Sequence, residues 1–181
     1  MSFARTLYHP LNHIWLRAKE PLKKKTACSS YRILEIGLTD RGIEEIGDIN
    51  YLQRCSDFFK SNGSNIKQHD GAHVQRGDEL LQIHFDGHSI SSADELYHTV
   101  WESFSDHLSI LSPVSGSIIE TESDMNATFK SCEKNGICEQ TVLMGIKTTE
   151  EEWEDICQQN YFVNASEYFK IVEKQPRGAF Y

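Results

Sequence analysis

The feature that most constrains this chain is a series of short segments in which apolar, often β-branched residues alternate with polar ones, separated by turn-forming residues. Tyr31 to Gly37 (YRILEIG) alternates in this way, as a strand with one buried face requires. Glu79 to Phe85 (ELLQIHF), Leu108 to Leu111 and Ser117 to Glu120 (SIIE) repeat the pattern, Asp48 to Gln53 is extended, and Thr141 to Ile146 (TVLMGI) reads as a buried strand. Between them lie Lys60 to Gly71, rich in Asn, Ser and Gly, and the turn-like Arg76–Asp78 and Pro113–Gly116. The pattern predicts a mainly β protein, with no internal βαβ unit and no repeat of fixed period.

Helix signals are fewer. Thr39 offers an N-cap hydroxyl and Asp40 a first-turn carboxylate, so a short helix is expected from there to about Gly47. Ser92 stands three residues before Glu95, a capping-box spacing, and Leu96, Val100 and Phe104 follow at i, i+4, i+8. This predicts an amphipathic helix over Ala93–Phe104. From Thr148 onward (TTEEEWEDI) the chain reads as helical, and Asn164 or Ser166 could cap a last helix carrying Tyr168 and Phe169.

With 181 residues the chain suits one domain, 1–181, large enough to bury a core without staples. A net charge of -9 argues against nucleic acid and anionic membrane as partners, because both select basic surfaces. Lys19 to Lys25 (KEPLKKK) is basic, whereas Gln68 to Phe129 carries many carboxylates and a single basic side chain, Arg76. That acidic region reads either as a solvated face or as an electrostatic docking face. The five cysteines have no CxxC spacing, which points to a reducing intracellular compartment, cytoplasmic or mitochondrial. The first 25 residues hold Arg5, Arg17 and four lysines against Glu20, a composition compatible with a mitochondrial presequence. Tyr8 to Arg17 also reads as the start of the domain, and both readings stand.

Several blocks, taken in order, resemble one family. His13-Ile14-Trp15-Leu16-Arg17, then Ile36–Asp40 with Ile46–Ile49, then Val74–Asp78 (VQRGD), Ser112–Gly116 (SPVSG), and finally Leu143–Ile146, Glu150–Trp153 and Ala165–Phe169 are similar to motifs of the glycine-cleavage H protein. The family-motif turns fall on Gly77, Asp78, Pro113, Val114, Ser115 and Gly116. The resemblance implies a hybrid barrel-sandwich of two antiparallel sheets with C-terminal helices, here over 148–181. It also implies lipoate as cofactor, carried on a lysine at a hairpin tip.

That lysine is missing. Counting back from Pro113 puts its position at Ser105, and counting forward from Gly77-Asp78 puts it at Gly87. No lysine occurs between Lys67 and Lys130, so neither lipoate nor biotin can be attached in this hairpin. The two counts differ because the hairpin is longer than the family requires, and the surplus contains the expected helix, so 87–106 reads as an inserted helical segment.

Other chemistry is thin. His84, Asp86 and His88 (HFDGH) need not converge, so no metal site is expected. Cys132 and Cys138 flank Lys134-Asn135-Gly136 and read as free thiols rather than a disulfide. No nucleophile elbow, phosphate loop or catalytic constellation is present. The expectation is therefore a non-enzymatic, non-lipoylated protein that binds protein partners, with enzymes of glycine cleavage, enzymes of lipoate metabolism or a larger complex as the candidates. Glu95, Glu102 and Asp106 are the candidate contacts. Two alternatives are a working aminomethyl carrier lipoylated at Lys67 or Lys130, and an unproductive mimic that regulates lipoate attachment.

Overall fold

The computed structural model describes residues 5–19, 31–46, 48–54, 72–94, 98–119 and 122–175, with only the backbone described for 87–94, 98–104, 122, 123 and 125. The chain is mainly antiparallel β. One sheet has six strands, in the order β1 (Thr6–His9), β2 (Ile14–Ala18), β3 (Tyr31–Leu38), β9 (Met144–Thr149), β8 (Gly116–Ile118) and β5 (His73–Val74). The other has three, in the order β4 (Asp48–Arg54), β6 (Glu79–Asp94) and β7 (His98–Leu111).

Alternation places the core. In β3, Leu34, Ile36 and Leu38 are fully buried, each worth roughly 1.5–3 kcal/mol in transfer terms. Leu16 and Ile146 flank them, and Leu52, Leu81, Ile83 and Ile110 from the three-stranded sheet join the same continuous cluster. Glu35 on the opposite side of β3 is nearly buried, and Arg17 (2.8 Å) and Lys19 pair with it. These two cations hold its carboxyl below the usual range although burial alone would raise it.

Four helices complete the described chain. Helix α1 (Asp40–Ile46) is capped by Thr39, whose Oγ1 accepts from the Gly42 amide at 3.1 Å. Helix α3 (Glu150–Gln158) is capped by Thr149, and α4 (Ala165–Val172) by Asn164 rather than Ser166. C-terminal helices are thus present, but β9 runs through Thr148 to Thr149 before α3 begins.

The remaining helix, α2 (Glu122–Asn135), carries no helical stripe of Leu or Ile in its sequence. Among its described side chains, Phe129 and Cys132, one turn apart, are buried. Its Glu133 carboxylate accepts from the Leu52 amide at 3.2 Å, so α2 lies along β4 and occupies a backbone donor of that strand's outer edge.

The expected helix over Ala93–Phe104, and with it an inserted helical segment at 87–106, is not what the chain forms. β6 continues to Asp94 and β7 starts at His98, paired from Asp94↔His98 down to Glu79↔Leu111. The reason lies in the spacing. Positions 96, 100 and 104 fall on one face of a helix, but multiples of two also place them on one face of a strand. Thr99, Val100, Trp101 and Phe104 favour the pleated alternative, and the antiparallel partner strand supplies the ladder.

Candidate functional site: the paired turns and the long hairpin

The turns at Gly77-Asp78 and Ser112–Gly116, far apart in sequence, are one unit. The Gly77 amide donates to the Ser112 carbonyl at 2.8 Å, and the Ser112 amide returns a bond to the Asp78 carbonyl at 2.7 Å. Asp78 also closes its own turn, since its Oδ2 accepts from the Gln75 amide at 2.7 Å. Ser112 is buried and its hydroxyl donates to the Val114 carbonyl at 2.7 Å, which sets the path of Pro113. Val114 is fully buried beneath. The Ser115 carbonyl accepts from the Thr148 hydroxyl at 2.8 Å. At Gly116 a Cβ would sit 2.4 Å from the Lys147 carbonyl oxygen, so the close approach of β8 to β9 demands glycine there.

Helix α3 is tied to this unit by ion pairs and a hydrogen bond. The Arg76 guanidinium lies 2.9 Å from Glu152 and 2.8 Å from Asp155, and Glu152 also accepts from the Ser115 amide at 3.3 Å. The one basic side chain of the acidic stretch is therefore consumed within the molecule. It clamps the two turns to α3.

From this base the β6–β7 hairpin runs outward. Pairing between β4 and β6 ends at Asp48↔Asp86, so from Gly87 to Asp94 β6 has only β7 as a sheet neighbour among the described residues. At about 3.3 Å per residue this two-stranded arm is roughly 25 Å long. Gly87 pairs with Phe104, and Ser105 pairs with Asp86 on the adjacent rung. The two counts for the carrier position thus arrive at one level of the hairpin, from opposite strands. The strands stay paired beyond that level, to Asp94↔His98.

Lipoate attachment needs a primary amine. Ser105 instead presents a hydroxyl that donates to Asp86 Oδ1 at 2.5 Å, and Gly87 presents no side chain. These residues do not fit the group. Of the candidate contact residues, Glu95 lies outside the described residues, and Glu102 sits on β7 opposite Ser89. Asp106 is exposed, and its Oδ1 accepts from the His107 amide at 2.8 Å. Glu102 and Asp106 share the arm's β7 strand with His98 and His107, not a helix face.

No protein-family model matches this chain, and no curated protein matches it.

Two constellations escape a reading of the sequence. On the outer face of the three-stranded sheet the rings of Tyr51, His84 and His107 stack across β4, β6 and β7, with centroids 4.2 and 5.5 Å apart. His84 is therefore drawn to Tyr51 and His107. His88 falls among the residues whose side chains are not described. Cross-strand register creates this ladder, and nothing local in sequence announces it. Next to it, hydrogen bonds from Ser109 and then Gln82 hold the Glu79 carboxyl below its ordinary range.

The second constellation is buried. The Tyr168 hydroxyl lies 2.7 Å from Thr39 Oγ1 and 3.0 Å from His13 Nδ1, and all three residues are almost inaccessible. His13 Nε2 approaches Glu45 Oε2 at 3.7 Å, and Glu45 forms an ion pair with Arg41. Burial, with the nearby Arg41 charge, lowers the His13 pKa to about 4. Burial raises Tyr168 to about 12 and moves Glu45 upward. The Tyr168 hydroxyl bridges His13 Nδ1 and Thr39 Oγ1, and Thr39 Oγ1 in turn accepts from the Gly42 amide. The chain ties the turn before β2, the start of α1 and helix α4 into one cluster. His13 itself holds a φ of 50°, and its carbonyl accepts from the Thr39 amide at 2.8 Å. Its visible signals are the His of the His13–Arg17 block and the Thr39 cap, but Tyr168 is supplied from the far end of the chain.

Proposed function

We propose that this chain is a carrier-type fold without cargo, of the H-protein-like barrel-sandwich kind, that works as a non-enzymatic protein-binding subunit. Two antiparallel sheets sharing one core, joined at the paired Gly77-Asp78 and Ser112–Gly116 turns, support the fold reading. One observation carries the function. The hairpin that would bear a cargo arm continues past the Gly87/Ser105 level and holds no lysine along its length. Such an arm offers a long strand edge and an acidic sequence, Asp94 to Asp106, with no attachment chemistry. Protein partners suit an arm of this kind better than a reaction does, because exposed edge strands are templates for pairing with another chain.

A working carrier would have to use Lys67 or Lys130. Lys130 sits within helix α2 rather than at a hairpin tip, which disfavours the precise delivery that carrier chemistry demands. Lys67 lies outside the described residues. The deciding experiment is intact mass after incubation with a lipoate-attaching enzyme and activated lipoate, paired with affinity capture from the native host. Bare polypeptide mass together with a partner lost on Glu102→Arg/Asp106→Arg substitution is the expected result. A lipoyl increment would overturn the proposal in favour of a carrier. Capture of the lipoate-attaching enzyme itself would favour an unproductive mimic.

A further inference from the structure

Cys132 and Cys138 are two unbonded thiols at the point where α2 ends and the chain doubles back. The Gly136 amide donates to the Cys132 carbonyl at 2.8 Å, and Gly136 has a φ of 77°. That is the left-handed helix stop, in which the residues after the glycine fold back over the last turn, the turn that contains Cys132. Ile137 is buried by this reversal, and Cys138 emerges exposed beside it. Cys138 then opens a tight turn closed by the Thr141 amide on the Cys138 carbonyl at 2.8 Å. Thr141 Oγ1 lies 3.2 Å from the Cys138 sulfur and accepts from the Cys138 amide at 3.0 Å.

The two thiols are chemically unlike. Cys138 is held below its ordinary pKa, chiefly by the Thr141 hydroxyl and next by the Gln140 amide. Cys132 is nearly buried, and its pKa is raised by burial and then by the charge of the neighbouring Cys138. An exposed, hydrogen-bonded sulfur and a shielded one, on the two sides of one helix-ending turn, match the roles of an attacking and a resolving thiol.

We propose that Cys138 and Cys132 form an oxidation-responsive dithiol, with Cys138 reacting first with a hydroperoxide and Cys132 resolving it to a disulfide. The Cys138 thiolate attacks one peroxide oxygen and the O–O bond breaks. The leaving oxygen departs as water, or as an alcohol from an alkyl hydroperoxide, after taking a proton. Cys138 becomes a sulfenic acid. The Cys132 sulfur then attacks Cys138, the S–S bond forms, and the hydroxyl leaves as water with the Cys132 proton. Two thiols lose two electrons and two protons in all, and the peroxide is reduced. The product staples the end of α2 to the turn leading into β9. Because α2 lies along β4, the staple acts on the outer edge of the three-stranded sheet.

The test uses the full-length protein, hydrogen peroxide in small excess, and non-reducing peptide mapping with and without dimedone. A Cys132–Cys138 disulfide should appear before any linkage involving Cys28, Cys55 or Cys157. In Cys132→Ser a dimedone adduct should build up on Cys138, and Thr141→Val should slow oxidation of Cys138 several-fold. A thermal melt confirms that each variant is folded. For the wild-type protein, iodoacetamide at neutral pH should label Cys138 faster than Cys157, which requires no variant. Equal labelling of Cys138 and Cys157, or peroxide treatment that leaves Cys132 and Cys138 reduced, would overturn the proposal.

Discussion

Replacing Tyr168 with Phe removes one oxygen and keeps the ring, which stacks on Tyr8 at a centroid distance of 5.1 Å. Packing should survive, so the loss isolates the hydroxyl. In the folded protein that hydroxyl bridges Thr39 at 2.7 Å and His13 at 3.0 Å, with Tyr168 only 2% exposed. Thr39 keeps a partner in the Gly42 amide, while its bond and that of His13 to the Tyr168 hydroxyl are both lost. Losing two buried hydrogen bonds costs about 1.5–3 kcal/mol. For a chain of this size that corresponds to a fall in Tm of roughly 4–10 °C. Equilibrium unfolding in urea, followed by far-UV circular dichroism, should show a lower midpoint with an unchanged slope. Tyr161, 69% exposed, provides the control, and Tyr161→Phe should leave the midpoint where it was. A loss below about 0.5 kcal/mol for Tyr168→Phe would refute the view that this cluster ties α4 to the sheet.

The same cluster predicts a pH dependence. His13 is held neutral, with a folded pKa of about 4 against an ordinary 6.5, so between those values the unfolded chain binds more protons. Stability should therefore fall as pH drops from 6.5 toward 4, by at most about 3 kcal/mol from this group. The upward shift of Glu45 works in the opposite direction. Melts of wild type and His13→Asn across this range test it, and equal slopes would remove His13 from the explanation. Gly116→Ala should cost about 1–3 kcal/mol or more, because its Cβ would meet the Lys147 carbonyl. Denaturant midpoints measure this, and a neutral result would show that β8 and β9 are free to separate. Arg76→Ala removes a clamp whose side chain is 36% exposed, so it should cost no more than about 1 kcal/mol. Its effect should show instead as faster amide exchange at Gly77 and Ser115.

Much of the architecture was legible because it rests on period-two alternation. β3, β4 and the first part of β6 were readable from Tyr31–Gly37, Asp48–Gln53 and Glu79–Phe85, since a strand with one dry face must alternate wherever it lies. The cap at Thr39 was readable for a similar reason, and Asn164 as one of two candidates with Ser166, as each accepts from an amide three residues on. The paired turns could be named one by one, but their mutual hydrogen bonds join residues far apart in sequence. Helix α2 escaped because its sequence holds no Leu or Ile to mark a periodic apolar stripe.

The hairpin shows where sequence ceases to decide. Leu96, Val100 and Phe104 satisfy a helix and a strand equally, and the choice fell to the partner strand, whose backbone completes a ladder from Glu79 to Asp94. That no lysine lies between Lys67 and Lys130 is a property of the sequence alone, because no fold can supply an amine that a segment lacks. What tertiary structure alone decided is which distant groups meet: Tyr168 with His13 and Thr39, His84 with Tyr51 and His107, Arg76 with α3. Those meetings depend on strand register and helix docking, which arise from burying one shared core and leave no local trace in any single segment.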